Sequence, residues 1–267
     1  MNGEEKKTLK ILSVGNSFSM DTMEHLANVA LARGYGSVIL GNLYIGGCSL
    51  NRHFENAEND LPAYRYYQNT GDGWSESSGH RISEAVRAQN WDWISIQHGT
   101  KDGSRYTSVE SYQKLPALIE SIKSLAWSGA KIAFNMAWVA ESYSHHHEIT
   151  SYNGDQMLMY QRLLEVTQEA VLSAKGLDLL SPTGTAIQNA RTTSLANRLS
   201  RDGFHLSYVH GRYIAALTFF KALTGLSLHG IKWAPEGVTE QEQELCVACA
   251  TAATETPFSI TRITIES

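Results

Sequence analysis

Three polar residues, one near the start of the chain and two near its end, are of the types that carry out nucleophilic chemistry. Ser17 follows the apolar run Ile11–Gly15, and Asp202 and His205 stand three positions apart. A serine hydroxyl needs a base within hydrogen-bond reach, and histidine can serve because its ordinary pKa is about 6.5. A carboxylate on the second ring nitrogen fixes the tautomer of the imidazole. We therefore predict Ser17 as nucleophile, His205 as general base and Asp202 as its orienting acid.

The position of Ser17 also suggests how a negative charge could be stabilised next to it. If a strand ends near Gly15 and a helix begins near Ser19, the hydroxyl lies beside a helix N-terminus. Free backbone N–H groups there would stabilise an oxyanion, and we predict the N–H of Ser17 as one donor. The alternative is that Ser17 only caps the helix, although Ser19 could fill that role.

Length and composition fit an ordinary globular protein. The chain has 267 residues, 42% hydrophobic and 18% charged, so we expect a single domain over 1–267 with an insertion at about 51–80. A net charge of −5 argues against nucleic-acid binding, and no apolar run approaches the ~20 residues of a membrane span. Because Met1–Lys10 contains no apolar signal core, we expect a cytoplasmic protein or an exported one whose signal was removed.

The cysteines and the histidine run do not predict a metal site or a disulfide framework. The chain has three cysteines, and Cys246 and Cys249 fall within a helical pattern whose buried face they would line. Three consecutive histidines, 145–147, cannot all reach one ion from a regular element, so we predict a solvated loop. We therefore expect no metal and no organic cofactor.

Hydrophobic patterning predicts strands that alternate with helices, which is typical of right-handed βαβ units. The fold class predicted is a three-layer α/β/α sandwich, flavodoxin-like, with a five-stranded parallel sheet. The predicted strands are Leu9–Gly15, Ser37–Tyr44, Trp93–Gln97, Lys131–Ala137 and Leu177–Leu180. The predicted helices are Met20–Arg33, Ile82–Gln89, Val109–Ser128, Gln156–Ala174, Tyr208–Thr224 and Thr239–Thr254. The tail Ser259–Ile265 alternates imperfectly and allows an edge strand.

Aromatic residues supply the candidate substrate contacts. The insertion at 51–80 carries an aromatic run at 64–67, a glycine-rich turn and Trp74, a pattern that predicts a hairpin. Insertions at the carboxyl ends of parallel strands border the binding crevice, so we predict Tyr67 and Trp74 as substrate contacts. Trp138, which follows the fourth predicted strand, is a third candidate, either as a flat platform for a sugar or acyl group or as part of the core.

The order of these motifs resembles the SGNH (GDSL-type) hydrolase superfamily along nearly the whole chain. Gly15–Ser17 resembles its first block, usually Gly-Asp-Ser, and Asp202 with His205 matches its Asp-x-x-His block. The resemblance implies that Gly47, after the second strand, adds its N–H to the oxyanion hole. A simple turn glycine is the alternative at this position.

The third block departs from the superfamily pattern of Gly-x-Asn-Asp. The aligned stretch is Gln97–Asp102, so Lys101 stands where the asparagine of the oxyanion hole is expected. Gln97, a neutral amide donor, is the predicted substitute; His98 and Lys101 are less favoured. The alternative is that Gln97 only binds backbone at a strand end.

The triad and the resemblance together predict a serine esterase. The chain looks like a branch of the superfamily that resembles carbohydrate O-acetylesterases, which implies a short-chain carboxylic ester, with O-acetyl groups on a carbohydrate as the expected substrate. Two alternatives remain open. One is a lipase- or thioesterase-like hydrolase of acyl chains. The other is a glycan-binding protein that lost catalysis along with the missing asparagine.

Overall fold

The computed structural model describes residues 7–265 and contains one seven-stranded sheet between two layers of helices. The strands are β1 (Thr8–Gly15), β2 (Ser37–Tyr44), β3 (Tyr64–Asn69), β4 (Trp74–His80), β5 (Trp93–Ile96), β6 (Lys131–Asn135) and β7 (Leu179–Ser181). The helices are α1 (Ser17–Met23), α2 (Leu26–Ala32), α3 (Leu50–Glu58), α4 (Ile82–Arg87), α5 (Leu115–Leu125), α6 (His147–Thr150), α7 (Gln156–Val166), α8 (Thr183–Arg191), α9 (His210–Thr224) and α10 (Glu240–Glu255). Short 3₁₀ turns occupy Val109–Tyr112 and Ala196–Arg198, and a π-helical turn, Thr167–Val171, follows α7.

The strand order is β4-β3-β2-β1-β5-β6-β7. Five of these strands, namely β2, β1, β5, β6 and β7, are parallel to one another. This confirms the predicted parallel α/β sandwich. Helix α9 packs with α1, α2, α8 and α10, while α3 and α4 pack with α5. Helices on both faces explain why the central strands are continuously apolar rather than alternating.

The sheet has two more strands than the five predicted. Strands β3 and β4 form the predicted hairpin, but β3 also pairs antiparallel with β2, with Tyr66 opposite Leu43. The hairpin therefore extends the sheet instead of standing apart from it. Pairing satisfies the backbone N–H and C=O groups that the edge of β2 would otherwise leave open.

One predicted helix and one predicted strand differ from what the structure shows. The helix predicted over Met20–Arg33 is two helices, and the first begins at Ser17 because Asn16 caps it. The predicted edge strand in the tail is wrong. Side chains of α8 bind this segment instead: Asn189 Oδ1 accepts from the N–H of Thr261 at 2.7 Å.

The two cysteines of the CxxC sequence lie on the buried face of helix α10, as predicted. Cys246 and Cys249 are both buried on it, facing the core. Between residues 7 and 265, no helix combines the length and the apolar character needed to cross a bilayer.

Candidate active site

The junction of β1 and α1 exposes the hydroxyl of Ser17. Asn16 is extended and caps α1, since its Oδ1 accepts from the N–H of Phe18 at 2.9 Å. Ser19 completes the cap by accepting from the N–H of Asn16 at 3.0 Å. A Cβ on Gly15 would lie 2.4 Å from Ser19 Oγ, so only glycine fits before this turn. Because Asn16 and Ser19 do the capping, the Ser17 hydroxyl is not needed for it.

The structure brings Ser17 together with His205 and Asp202, although 188 positions separate Ser17 from His205. Ser17 Oγ lies 3.0 Å from His205 Nε2, and His205 Nδ1 lies 2.6 Å from Asp202 Oδ2. Asp202 Oδ1 also accepts from the backbone N–H groups of Phe204, at 2.9 Å, and His205, at 2.7 Å. Partial burial raises the pKa of Asp202, but these hydrogen bonds outweigh it, so the pKa lies below its ordinary value.

Buried charges hold the histidine loop, defined as residues 200–206, against α1. Asp21 on α1 is fully buried and accepts from Arg201 Nη1 at 2.9 Å and from Arg212 Nε at 2.8 Å. Its Oδ2 also accepts from the N–H of Leu206 at 2.9 Å. These bonds join the helix that begins at the hydroxyl to the loop that carries the imidazole.

Trp138 is a core residue that positions the histidine loop, and its prediction as a substrate contact is wrong. Its side chain is only 1% exposed, and its Nε1 donates to the carbonyl oxygen of Phe204 at 2.8 Å. The ring of Phe18 lies between the two, with centroids 4.6 Å from Trp138 and 4.9 Å from Phe204. Of the two roles considered for Trp138, packing is the one found.

Neither predicted contact of the hairpin lies directly at the triad. Trp74 pairs with Asn69, which pairs with Leu40 in the middle of β2. Leu40 is four residues before Tyr44, or about 13 Å along the strand, so Trp74 lies away from the end of β2 and its role as a substrate contact stays a prediction. Tyr67 is half-buried behind Tyr44, and their rings meet edge to face at 5.6 Å. Tyr67 thus supports a residue at the end of β2.

The glycine turn, defined as residues 45–48, lies against the serine junction. The N–H of Ile45 donates to the carbonyl oxygen of Gly15 at 3.2 Å, and Asn16 Nδ2 donates to that of Cys48 at 3.3 Å. Gly47 has a φ of +67°, a conformation that glycine adopts without strain. The turn therefore sits where a second backbone donor beside Ser17 is expected.

The lysine loop, defined as residues 97–104, packs on the glycine turn backbone to backbone. A Cβ on Gly99 would lie 2.3 Å from the carbonyl oxygen of Cys48. The N–H of Lys101 donates to the carbonyl oxygen of Gly47 at 3.0 Å, and its side chain crosses this glycine. A Cβ on Gly47 would lie 2.8 Å from Lys101 Cγ.

The amide of Gln97 is engaged within the sheet, contrary to its prediction as an oxyanion donor. Its side chain is buried, its Nε2 donates to the carbonyl oxygen of Asn135 at 3.2 Å, and its Oε1 accepts from Asn135 Nδ2 at 2.9 Å. Asn135 in turn accepts from Thr183 Oγ1 at 2.6 Å. This network fits the alternative, a backbone contact at a strand end.

A family model described as a domain of unknown function, DUF4886, matches residues 10–254 of the chain. The chain belongs to the DUF4886 family. A DUF4886 family protein from Bacteroides uniformis ATCC 8492 is 33% identical to it, covering 96% of this chain and 98% of its own, with a TM-score of 0.90. Among curated proteins, none matches the sequence.

The DUF4886 chain also shares its fold with a more distant enzyme. A mutant of Axe2, an acetyl-xylooligosaccharide esterase from Geobacillus stearothermophilus, is 16% identical, with a TM-score of 0.50. The match covers 87% of this chain and 98% of the Axe2 mutant. At this identity, the comparison establishes the common α/β fold alone.

His146 is a residue of the DUF4886 site that the sequence analysis missed. The histidine run was predicted to be a solvated loop, and its outer two members are exposed. His146 is half-buried and stacks on Phe204, with ring centroids 3.6 Å apart, and its Nε2 lies 3.4 Å from Thr100 Oγ1. It therefore bridges the histidine loop and the lysine loop. The run of three histidines was the available sequence signal for this residue, but the run does not reveal which of its side chains points towards the site.

Proposed function

We propose that this DUF4886 protein is a serine esterase of the SGNH type that hydrolyses a short-chain carboxylic ester, with acetyl groups on a carbohydrate as its substrate. The observation that carries the proposal is the continuous hydrogen-bond chain from Asp202 through His205 to Ser17, with links of 2.6 and 3.0 Å. A hydroxyl, an imidazole and a carboxylate in this order are the parts of a serine-hydrolase triad.

In the first half of the reaction, Ser17 Oγ attacks the carbonyl carbon while its proton moves to His205 Nε2. The resulting oxyanion is held by backbone N–H groups of Ser17 and Gly47. Each such donor is worth about 3 kcal/mol of transition-state stabilisation. When the intermediate collapses, the alcohol leaves with the proton from His205, and the acetyl group stays on the serine.

In the second half, water attacks the acyl-enzyme and gives its proton to the same nitrogen of His205. Collapse of the second intermediate returns that proton to Ser17 and releases the carboxylic acid. Asp202 stays ionised throughout, since its pKa is already below the ordinary range, and it stabilises the imidazolium that forms twice in the cycle.

The two donors of the oxyanion hole are supported by the way their segments dock. Ser17 is the first residue of α1, so its N–H has no acceptor within the helix. The bonds from Ile45 and Asn16 place the glycine turn beside it. Gln97 is left out because its amide pairs with Asn135.

The most specific part of the proposal is the substrate, an acetylated carbohydrate. The fold shared with Axe2, an acetyl-xylooligosaccharide esterase, makes acetylated saccharides the first natural substrates to test. The assembled triad favours turnover over a glycan-binding protein that has lost catalysis. A hydrolase of long acyl chains would need an apolar lip, whereas the side chains around the glycine turn are basic and aromatic.

The test compares p-nitrophenyl acetate, butyrate and octanoate for the wild type, Ser17→Ala and Ser124→Ala. Ser124 is an exposed serine on α5 and is the matched control. We expect the rate to fall with chain length, and kcat/KM for acetate to drop at least ~10³-fold in Ser17→Ala only. Equal rates for the wild type and Ser17→Ala would overturn the proposal.

A further inference from the structure

A lysine contacts one glycine of the glycine turn, and the tyrosine next to the other glycine carries an arginine on its ring. The stem of Lys101 packs across Gly47. At the neighbouring position, Tyr44 Oη would lie 3.4 Å from a Cβ on Gly46, and the guanidinium carbon of Arg65 lies 5.1 Å from the centroid of the Tyr44 ring. Lys101 thus stands beside the backbone proposed to hold the oxyanion, and Arg65 lies further out, against Tyr44; we call these two residues the basic pair.

The charges of the basic pair are accessible to a ligand. Within residues 7–265, Lys101 forms no salt bridge, and its side chain is exposed. Arg65 lies 3.5 Å from Glu76, but their side chains are 52% and 46% exposed. Such a surface pair contributes at most about 1 kcal/mol, so a ligand carboxylate can displace Glu76. Asp102, next to Lys101 in the chain, is the other nearby acid.

A third cation acts on the same turn. Arg52 lies in the first turn of α3, directly after the glycine turn, and its N–H donates to Ser49 Oγ at 3.3 Å. Burial raises the pKa of the Cys48 thiol to about 12; the charge of Arg52 opposes this rise, that of Asp102 adds to it, and that of Lys101 opposes it. Two cations and one carboxylate therefore act on this buried thiol.

We infer that the ester substrate carries a carboxylate close to its acetyl group, and that Lys101 and Arg65 bind this carboxylate. The substrate class is an acetylated acidic saccharide, such as an acetylated uronic acid oligomer. A guanidinium offers a carboxylate two parallel N–H donors, while an ammonium acts as a point charge. The inference deepens the proposed function and rests on it.

Lys101 has one competing role, because it occupies the position of the missing asparagine and its ammonium could contact the oxyanion itself. Oxyanion donors are rigid and shielded from water. An exposed lysine is hydrated and mobile, which suits the binding of a charged substituent better. The two roles differ in kinetics: an oxyanion donor changes kcat for every ester, and a carboxylate-binding lysine changes KM for acidic ones.

The kinetic experiment compares acetylated galacturonic acid oligomers with acetylated xylo-oligosaccharides of equal length. We expect the wild type to prefer the acidic series. Lys101→Gln and Arg65→Gln should each lower the ratio of acidic to neutral kcat/KM about tenfold, through KM for the acidic series. Arg87→Gln, which removes an exposed charge on α4, is the matched control and should leave the ratio unchanged.

Two kinetic outcomes would overturn the inference. One is a ratio that neither variant changes. The other is a Lys101→Gln protein whose kcat falls equally on both series, because this result assigns the lysine to the oxyanion instead.

A binding experiment separates this inference from the proposed esterase activity. Calorimetry on Ser17→Ala protein measures the affinity for both oligomer series without turnover. We expect tighter binding of the acidic series, weakening as NaCl rises from about 50 to about 500 mM. Equal affinity for the two series would contradict the inference even in an active esterase. Acidic preference in a wild type without esterase activity would refute the proposed function and leave the carboxylate site standing.

Discussion

The two loops that flank Ser17 are held in place by different forces. The histidine loop is anchored by side chains: Asp21 is fully buried and pairs with Arg201 and Arg212, and Trp138 binds the carbonyl oxygen of Phe204. The lysine loop is anchored by its backbone, because Gly99 approaches the glycine turn too closely for any side chain. The contrast indicates that the imidazole is held mainly by charged side chains, and that Lys101 is held by close backbone packing.

This difference has a consequence for tolerance to substitution. A buried ion pair fails when one partner is removed, because the remaining charge is left unpaired in a medium of low polarity. A backbone contact between glycines fails only when a Cβ is added. The histidine loop should therefore be sensitive to charge removal, and the lysine loop to added volume.

The largest effect is expected for Asp21→Asn, which leaves Arg201 and Arg212 without their buried partner. We expect a loss of about 3–5 kcal/mol in the free energy of unfolding, measured by urea denaturation. The esterase rate should fall too, because the histidine loop loses its bond to α1. Glu165→Gln, which removes the exposed pair with Arg162, is the control and should cost less than about 1 kcal/mol. Similar losses in both variants would remove the contrast between the loops.

An intermediate effect is expected for Gly99→Ala. Its Cβ would collide with the carbonyl oxygen of Cys48 and push the lysine loop away from the glycine turn. We expect about 1–3 kcal/mol of destabilisation and a larger relative loss of acetyl-ester hydrolysis than of stability.

The control for this substitution is Gly103→Ala in the same loop. Gly103 has a φ of +75° and no neighbouring atom within 4 Å of the position a Cβ would take. The substitution should therefore cost only about 1 kcal/mol, from backbone strain alone. Full activity in Gly99→Ala would show that the close approach does not position the turn.

The parts predicted from sequence are those with a local signature. Apolar runs separated by helical periods located the five parallel strands, each within two residues of its prediction at either end. The hairpin was recognised from its turn, but a pattern of alternation does not tell which strand it pairs with. The sequence also indicated Ser17, Asp202 and His205 because each stands in a short motif beside an element boundary.

What could not be predicted depends on partners distant in sequence. Asp21 and Arg201 are 180 positions apart, and nothing in the local sequence of either marks a buried pair. Trp138 at a strand end has the same signature whether it packs in the core or faces a ligand. Gln97 satisfied the chemistry of an oxyanion donor, but its amide was already bound by Asn135, which lies on the neighbouring strand.

The smallest effect concerns His146, which bridges the two loops. Its Nδ1 accepts from the N–H of Glu148 at 3.3 Å, which requires the neutral ring. Burial, and then the charges of His147 and His205, lower the pKa of His146 to about 4, and the charge of Asp202 opposes this shift. In the unfolded chain the pKa of this histidine is about 6.5, so between about pH 6.5 and 4 the unfolded state binds more protons than the folded state. The free energy of unfolding therefore decreases as the pH is lowered through this range.

The measurement is the urea midpoint at pH 7, 5.5 and 4.5 for the wild type and His146→Gln. We expect His146→Gln to lose less stability on acidification, since the glutamine keeps a polar side chain and does not titrate. His145→Gln is the matched control, because its side chain is exposed and should leave the pH dependence as it is in the wild type. Identical pH dependence in the wild type and His146→Gln would mean that protonating His146 does not weaken its contact between the histidine loop and the lysine loop.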